Sequence, residues 1–435
     1  MSTQTVLPVE ASELAAFSKN SGEPAWLSER RAKALEQAGS LELPKLEKTR
    51  IDRFDLQNYG LPRKGEPAVS GSQELPESIS DLVNLNEGSN LIVQRNSGVV
   101  FTKLDPQLAA KGVIFTDLET AAREHEELVR EYLSSVIPAD ENKLTALHTA
   151  LWSGGVFLYV PRNVEVDVPL QAVFLVDDAT SVFSPHVLLV AESNSRVTYV
   201  DNYISSDLKQ NLVHNGASEV VVKAGAKVQY ASVHQLGGEI TDLTYRRSLI
   251  ENDGSIEWII GEMNNGDSVS ETLSILKGNG SLSDAKVIAV GSGSQRMNYT
   301  TKAVHFGKSS ESQMITRAVM REQASAIING ITKIEKGATK ANGEQTEKVL
   351  MLSPKARGDA NPILLIDEDD VKAGHAASVG QVNAEQIYYL MSRGITREQA
   401  ERLVIYGFLA PVVTEIPLEQ LQQQLQSLVE RKLGQ

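Results

Sequence analysis

The chain has 435 residues, with 42 Lys or Arg against 56 Asp or Glu for a net charge of −14, and no cysteine. The length allows two or three compact units with a sizeable core, and the acidity argues against nucleic acid as the main partner, because phosphate contact needs a basic face. Without cysteine there is no disulfide, no thiol nucleophile and no thiolate to hold zinc or an iron–sulfur cluster.

No stretch approaches the ~18 uninterrupted apolar residues of a membrane span. The opening MSTQTVLPVEASELAAF has no basic region followed by an apolar core. The chain therefore reads as cytoplasmic. Residues 10–38 predict two short helices broken at Gly22-Glu23-Pro24, with Ser28 as cap of the second and Ala32, Leu35 and Ala38 on one side. Residues 59–78, rich in Pro, Gly, Ser and charge, read as a surface linker. A hairpin follows, Leu91 to Gln94 and Val99 to Thr102 around Asn96-Ser97-Gly98. Asp117 caps a helix that turns Leu118, Ala121, Ala122, Leu128 and Tyr132 inward. A second helix, from about Glu141 to Trp152, buries Leu144, Leu147, His148 and Leu151. Residues 1–153 thus form a mostly helical region with a small hairpin.

At Gly154-Gly155 the pattern changes. From 154 to 352 the chain is made of short apolar or alternating runs, such as Val187 to Val190, Val228 to Ala231 and Ile327 to Ile331. Gly225, Gly254, Gly280, Gly307 and Gly337 mark turns at intervals of 29, 26, 27 and 30 residues. That spacing fits a solenoid with two strands and two turns per coil; a β-sandwich also produces regular short strands. The length of the region without helical periodicity, and Val and Ile placed where they can stack in ladders, favour the solenoid. Residues 353–435 form a helical region, entered through a buried-looking strand, Ile363 to Ile366, and an acidic turn. Asn383 with Gln386 and Thr396 with Gln399 are cap pairs, with Gly394 as the stop between them. Ile387, Leu390 and Met391 share one apolar face, and Ala400, Leu403, Val404, Gly407 and Phe408 the next. A last helix carries Leu418, Leu421, Leu425, Leu428 and Val429 on one stripe.

Few constellations suggest chemistry. The acidic run Asp367 to Asp370 lacks the glycine punctuation of a calcium loop and reads as a solvated turn. Gly291-Ser292-Gly293-Ser294 is not followed by Lys-Ser/Thr or a helix start, and the chain has no GxxxxGK[ST]. Any ATPase involved is another chain. The seven histidines show no HxH or HxxxH pairing; His148 reads as a hydrogen-bonded core residue and His305 as a strand residue beside a turn. His375 differs, because Gly374, Ala376 and Ala377 leave its ring uncovered by neighbours in sequence.

The run Asp370-Val371-Lys372-Ala373-Gly374-His375-Ala376-Ala377-Ser378-Val379-Gly380, followed by Tyr388-Tyr389-Leu390-Met391-Ser392-Arg393-Gly394-Ile395, resembles the C-terminal signature of the SufB/SufD family, and within it the SufD type. The resemblance extends to Gly22-Glu23-Pro24-Ala25-Trp26-Leu27, to Asn142 through His148 and to Phe157-Leu158-Tyr159-Val160-Pro161, and so covers nearly the whole chain. It implies a mainly β protein with a central right-handed parallel β-helix flanked by helical regions. It implies a non-enzymatic scaffold subunit of the SUF iron–sulfur cluster assembly machinery, pairing with a SufB-type subunit and docking the ABC-type ATPase SufC through the helices from Ala384 to Phe408. The exposed side of the second of these carries Glu398, Glu401, Arg402 and Tyr406. His375 is the residue the resemblance implicates at the cluster-assembly interface, as a metal ligand shared with the partner; no cofactor is expected to be held stably by this chain alone. One departure stands out: some SufD-type chains carry a cysteine two residues before this histidine, where this chain has Ala373. Two other readings are a SufB-like subunit that carries the cluster itself, disfavoured by the missing cysteine, and a β-helix enzyme acting on polysaccharide, disfavoured by the lack of an export signal and of a convergent Asp/Arg/Lys set.

Overall fold

The computed structural model describes residues 7–63, 65–69, 71, 74–80, 82, 89–414 and 419–432. Parts of the linker at 59–78 lie outside these residues, as do Leu418 of the last expected helix and the side chain of Leu421. The helices are α1 (Ala11–Asn20), α2 (Ala25–Ser40), α3 (Glu77–Ser80), α4 (Pro106–Ala110), α5 (Leu118–Glu124), α6 (Glu126–Tyr132), α7 (Lys143–Leu151), α8 (Ala384–Ser392), α9 (Arg397–Val413) and α10 (Glu419–Lys432). The strands are β1 (Asn90–Arg95), β2 (Gly98–Lys103), β3 (Ile114–Thr116), β4 (Val156–Val160), β5 (Leu170–Val176), β6 (His186–Ala191), β7 (Arg196–Ser205), β8 (Leu212–Val222), β9 (Lys227–Gln235) and β10 (Ile240–Ile250). They continue as β11 (Ser255–Glu262), β12 (Ser268–Leu276), β13 (Leu282–Gly291), β14 (Arg296–His305), β15 (Glu311–Met320), β16 (Ser325–Ile334), β17 (Asn342–Met351), β18 (Arg357–Ile366) and β19 (Lys372–Gln381).

From β4 onward, odd strands stack in one sheet and even strands in another, each parallel to the strand one coil away. The result is a parallel β-solenoid, and the sandwich is excluded because its antiparallel Greek-key neighbours are absent among these strands. Alternation decides the faces. Even-numbered positions of β8 and β10 and their counterparts point into the lumen, where Leu212, Val220, Val228, Ile256, Ile260 and Val287 join one apolar core. Aromatic residues run along it in register: Tyr199, Tyr230 and Trp258 stack with ring centroids 4.9 Å apart at each step. Each such ring removes a large apolar area from water, and offset or edge contacts add ~1 kcal/mol.

The corners have their own ladder. Asn163, Asn194, Gly225, Asp253, Gly280, Ser309 and Lys340 all adopt φ between 52° and 69°. The N–H of each donates to a carbonyl in the next coil: Asn163 to Ser193, Asn194 to Ala224, Gly225 to Asn252, Asp253 to Asn279, Gly280 to Lys308, Ser309 to Thr339 and Lys340 to Asp370. The five spaced glycines all lie on this side, between an even strand and the following odd one. Gly225 and Gly280 occupy the ladder position itself, and Gly337, at φ 97°, is left-handed three residues before Lys340. Gly307 serves a different need, since a Cβ there would stand 1.7 Å from the Gly278 carbonyl oxygen of the coil beneath.

The terminal regions cover opposite outer faces. Residues of α1, α2 and α7 pack on Val213, Ala217, Leu243 and Val269 of the even sheet, and α5 and α6 on Leu188, Val190 and Val221. On the odd sheet, Ile405, Leu409, Val412, Leu425, Leu428 and Val429 of α9 and α10 pack on Val233, Ile259, Ile288, Val290 and Val319. Lys432 at the end of α10 reaches into the wall and donates to the carbonyls of Asn264 and Val290; burial pushes its ammonium down to about 7.

Several expectations need correction. The cap of α2 is Pro24, not Ser28, because Glu23 just before it pairs with buried Arg31 at 2.8 Å and fixes the turn. Arg31 also donates to the carbonyls of Ala150 and Trp152, which ties α2 to α7. The Asp117-capped helix breaks at His125 into α5 and α6. The hairpin β1–β2 forms as expected, yet β1 also pairs in parallel with β5, so it belongs to the odd sheet. The strand region does not stop at 352 but runs on through β18 and β19 to Gln381. The last strand, KAGHAASVGQ, is short of the branched apolar residues that mark a strand.

One buried carboxylate of the even sheet ties down the N-terminal region. Glu219 on β8, fully buried, accepts from the backbone N–H of Ser134 (2.6 Å), Val136 (2.7 Å) and Ile137 (2.9 Å). Glu219→Ala leaves three buried donors without an acceptor and is expected to cost about 3–5 kcal/mol. Urea unfolding checks this, and Glu219→Gln, which keeps an acceptor oxygen, should cost clearly less.

Candidate functional site

The two ends of the solenoid are not equivalent. At one end β2 runs antiparallel to β1 and β3 antiparallel to β4, which interrupts the parallel stacking, while Leu108, Val113 and Phe115 close the lumen core. At the other end β18 and β19 are the outermost strands of their sheets. Among the described residues their outer edges carry no further strand, and Leu365, Ile366 and Val379 stand 46%, 43% and 43% exposed. An uncovered edge of this length is a template for another chain.

His375 lies on this last coil. It is the in-register neighbour of Gln345, and Ala373, two residues before it, packs inward against Ile334, Ala338 and Ala341. His375 therefore sits on the lumen-facing row, exposed only because no coil follows. The acidic turn before it is the last corner. The Asp370 carbonyl receives the final rung of the corner ladder from Lys340, and Glu368 accepts from the N–H of Gly337 at 2.9 Å and of Asp369 at 3.0 Å. Those backbone hydrogen bonds hold the Glu368 carboxyl below its usual range. The turn is thus structural.

Beneath His375 the lumen is polar. Gln345 is 2% and Glu347 is 1% exposed. Thr332 Oγ1 donates to Gln345 Oε1 (3.1 Å), and Gln345 Nε2 donates to the Ile363 carbonyl (3.4 Å). Glu347 Oε2 is buried without a hydrogen-bond partner. Burial pushes the Glu347 carboxyl up to about 7. Nothing in its sequence neighbourhood singled this residue out; the signal was its place, one coil before His375.

The residues expected at the ATPase-docking helices are distributed unevenly. Glu398 is exposed, Glu401 pairs with Arg397 at 2.9 Å, and Arg402 is half-buried. Tyr406 donates to Glu430 of α10 at 2.5 Å, so its hydroxyl is engaged within the chain. The buried face of α9 is Ala400, Ile405, Leu409, Val412 and Val413, which leaves Leu403 at 50% exposure. On α8, Ile387 is buried while Tyr388, Tyr389 and Met391 are 74%, 56% and 42% exposed. Together with Leu403 they make an apolar surface on the two helices.

The remaining histidines are mostly internal. His148 contacts the Asn215 carbonyl at 2.7 Å and His186 at 2.9 Å, and His305 lies between Ser310 and Ser312, with burial lowering it to about 4. His214, His234 and Asp242 come together in the lumen although sequence spacing showed no pairing. Each imidazole donates from Nδ1 to Asp242, at 2.7 and 2.8 Å, and Thr244 and Asn264 donate to the same carboxylate. Burial opposes ionisation of Asp242, but the imidazoles and their hydrogen bonds hold its carboxyl well below the usual range. Arg246 donates to His234 Nε2 at 2.7 Å, which brings a positive charge against the cluster. With every carboxylate oxygen engaged and a guanidinium alongside, this group is a hydrogen-bond hub and is poorly arranged for a cation. Residues 214 and 242 are 28 apart, one coil, so the coil interval was the signal that brings them together.

A stability prediction follows from Glu347. A carboxyl raised from about 4.5 to about 7 keeps its proton in the folded state where the unfolded chain has released it, so its contribution is fully present below pH 4.5 and lost as pH rises through 7. Glu347→Gln removes that loss. The variant should match the parent at pH 4 and exceed it at pH 8 by roughly 3 kcal/mol at most, read by urea midpoints at both pH values.

Comparison with known proteins agrees with this architecture. Residues 174–408 match the SUF system FeS cluster assembly SufBD core domain, and residues 17–172 match the SufBD protein N-terminal region. The chain is 49% identical to the iron–sulfur cluster assembly protein SufD of Bacillus subtilis, over 100% of both chains. It is 30% identical to an iron–sulfur cluster assembly SufBD family protein of Staphylococcus epidermidis, covering 93% of this chain and 88% of that one, and 28% identical to one of Staphylococcus aureus with the same coverage. With a full-length relative at this identity and a family core spanning more than half its residues, the chain belongs to the SufBD family of the SUF iron–sulfur cluster assembly system.

Proposed function

We propose that this chain is a non-enzymatic scaffold subunit that pairs with a SufB-type subunit through the open end of its solenoid and docks a SufC-type ABC ATPase through α8 and α9. The observation that carries the reading is the open end itself. Two outermost strands with exposed Leu365, Ile366 and Val379 place unpaired backbone groups, apolar surface and His375 on one face. Pairing with a second β-solenoid satisfies the backbone groups and buries the apolar ones.

At that junction the nascent iron–sulfur cluster is cargo, not a resident group. His375 contributes one imidazole ligand or hydrogen bond, and the partner contributes thiolate, since this chain has none. Gly374, Ala376 and Ala377 beside it keep side-chain bulk low where a partner must approach. The chain has no P-loop, so ATP is hydrolysed elsewhere, and the exposed Tyr388, Tyr389, Met391 and Leu403 offer an apolar surface for the ATPase with Glu398 near it.

His375→Ala is expected to leave the complex with SufB- and SufC-type chains intact while cutting the iron and sulfide retained on reconstitution. A complex that falls apart, or that loads normally, rejects the ligand role. Removal of residues 384–435 is expected to abolish capture of the SufC-type chain, measured by co-purification; undiminished capture places the contact elsewhere.

A further inference from the structure

We propose that the lumen just inside the open end is a divalent-cation site of this chain alone, in which Glu347, Gln345 and His375 receive a ferrous ion before the cluster is built. This rests on the reading of the open end as the place of cluster assembly and specifies how iron enters it.

Two side-chain oxygens lie close together over one glycine. A Cβ on Gly330 would stand 1.8 Å from Glu347 Oε1 and 3.2 Å from Gln345 Oε1, so both side chains reach over a backbone that carries no side chain. Glu347 Oε2, on a residue 1% exposed, has no hydrogen-bond partner. No cation shares the lumen with it: in β15 to β19 the lumen-facing rows contain no Lys or Arg, and Arg317, Lys333, Lys348 and Lys372 lie on the outward rows. A buried carboxylate without a counter-charge is costly, and a cation is the ligand that relieves the cost.

His375 completes the set from above. It stands in register with Gln345, about 4.8 Å away along the stack, and Glu347 stands in register with Ala377, whose methyl group leaves the space beside the imidazole open. Carboxylate, carboxamide oxygen and imidazole make a nitrogen–oxygen donor set without thiolate, suited to ferrous or manganous ions and poorly suited to cuprous ion. One face of the ion remains open toward the partner, so the ion can be passed on without dismantling the coil.

The test uses the full chain alone, with Mn2+ as an air-stable probe read by electron paramagnetic resonance, and Fe2+ under anaerobic conditions. One bound Mn2+ per chain is expected, with nitrogen coupling from an imidazole. Glu347→Gln should weaken binding at least tenfold, His375→Ala should remove the nitrogen coupling, and Gly330→Ala should abolish binding by displacing the Glu347 carboxylate; circular dichroism equal to the parent and melting no lower than it in Glu347→Gln exclude unfolding. Mn2+ binding by Glu347→Gln equal to the parent, or nitrogen coupling that survives His375→Ala, overturns the proposal. Failure here is distinguishable from failure of the scaffold reading, because Glu347→Gln should still co-purify with SufB- and SufC-type chains. A complex that forms and loads iron while the chain alone binds none overturns the cation site only.

Discussion

Coil-on-coil stacking is the constraint on which everything else in this molecule depends. Each strand satisfies its backbone on the strands one coil away, and each corner does the same through one left-handed residue whose N–H meets the next coil. The ladder from Asn163 to Lys340 has no missing rung among these corners, and its last acceptor is Asp370. Such an arrangement has no intrinsic stopping point. The chain ends it at one side with antiparallel strands and apolar plugs, and leaves it unfinished at the other.

The unfinished side explains why the residues there look unlike the rest of the solenoid. Deep in the stack the lumen holds Tyr199, Tyr230 and Trp258, packed ring on ring. Toward the open end it holds Thr332, Gln345 and Glu347, and then His375 with alanines around it. The exposed apolar side chains of this last coil are Leu365, Ile366 and Val379, which a partner would cover. Around His375 the residues are small, and they leave room for chemistry to be brought in from outside.

The sequence made the helices legible because their caps are local: Asp117, Asn142, Asn383 and Thr396 each accept from a backbone N–H within three residues. The solenoid was legible through its turn interval, although three of the five glycines that suggested it do not occupy the ladder position of their corner. What could not be read locally was anything that depends on the neighbouring coil. His214 meets Asp242 and Gln345 meets His375 across gaps of 28 and 30 residues. Of the last two strands, Ile363 to Ile366 at the end of β18 was legible from its own apolar run, whereas β19 went unmarked because its in-register partner, and not its own side chains, makes it a strand. The face of α9 was misjudged in part: Phe408 packs on the sheet as expected, but Leu403 fits the helical period as well as Ile405 and Leu409 do, and only the sheet beneath decides between them.

The hub at Asp242 has a consequence for how the lumen tolerates change over evolutionary time. Four side chains, from His214, His234, Thr244 and Asn264, direct their donors at one carboxylate. Loss of any one donor leaves three in place, so each of those positions can drift while the others hold. Loss of the acceptor strands all four at once inside a dry core. Variation is therefore expected to be lopsided, permitted around the rim of the cluster and forbidden at its centre, with Asp242 the last of the five to be replaced.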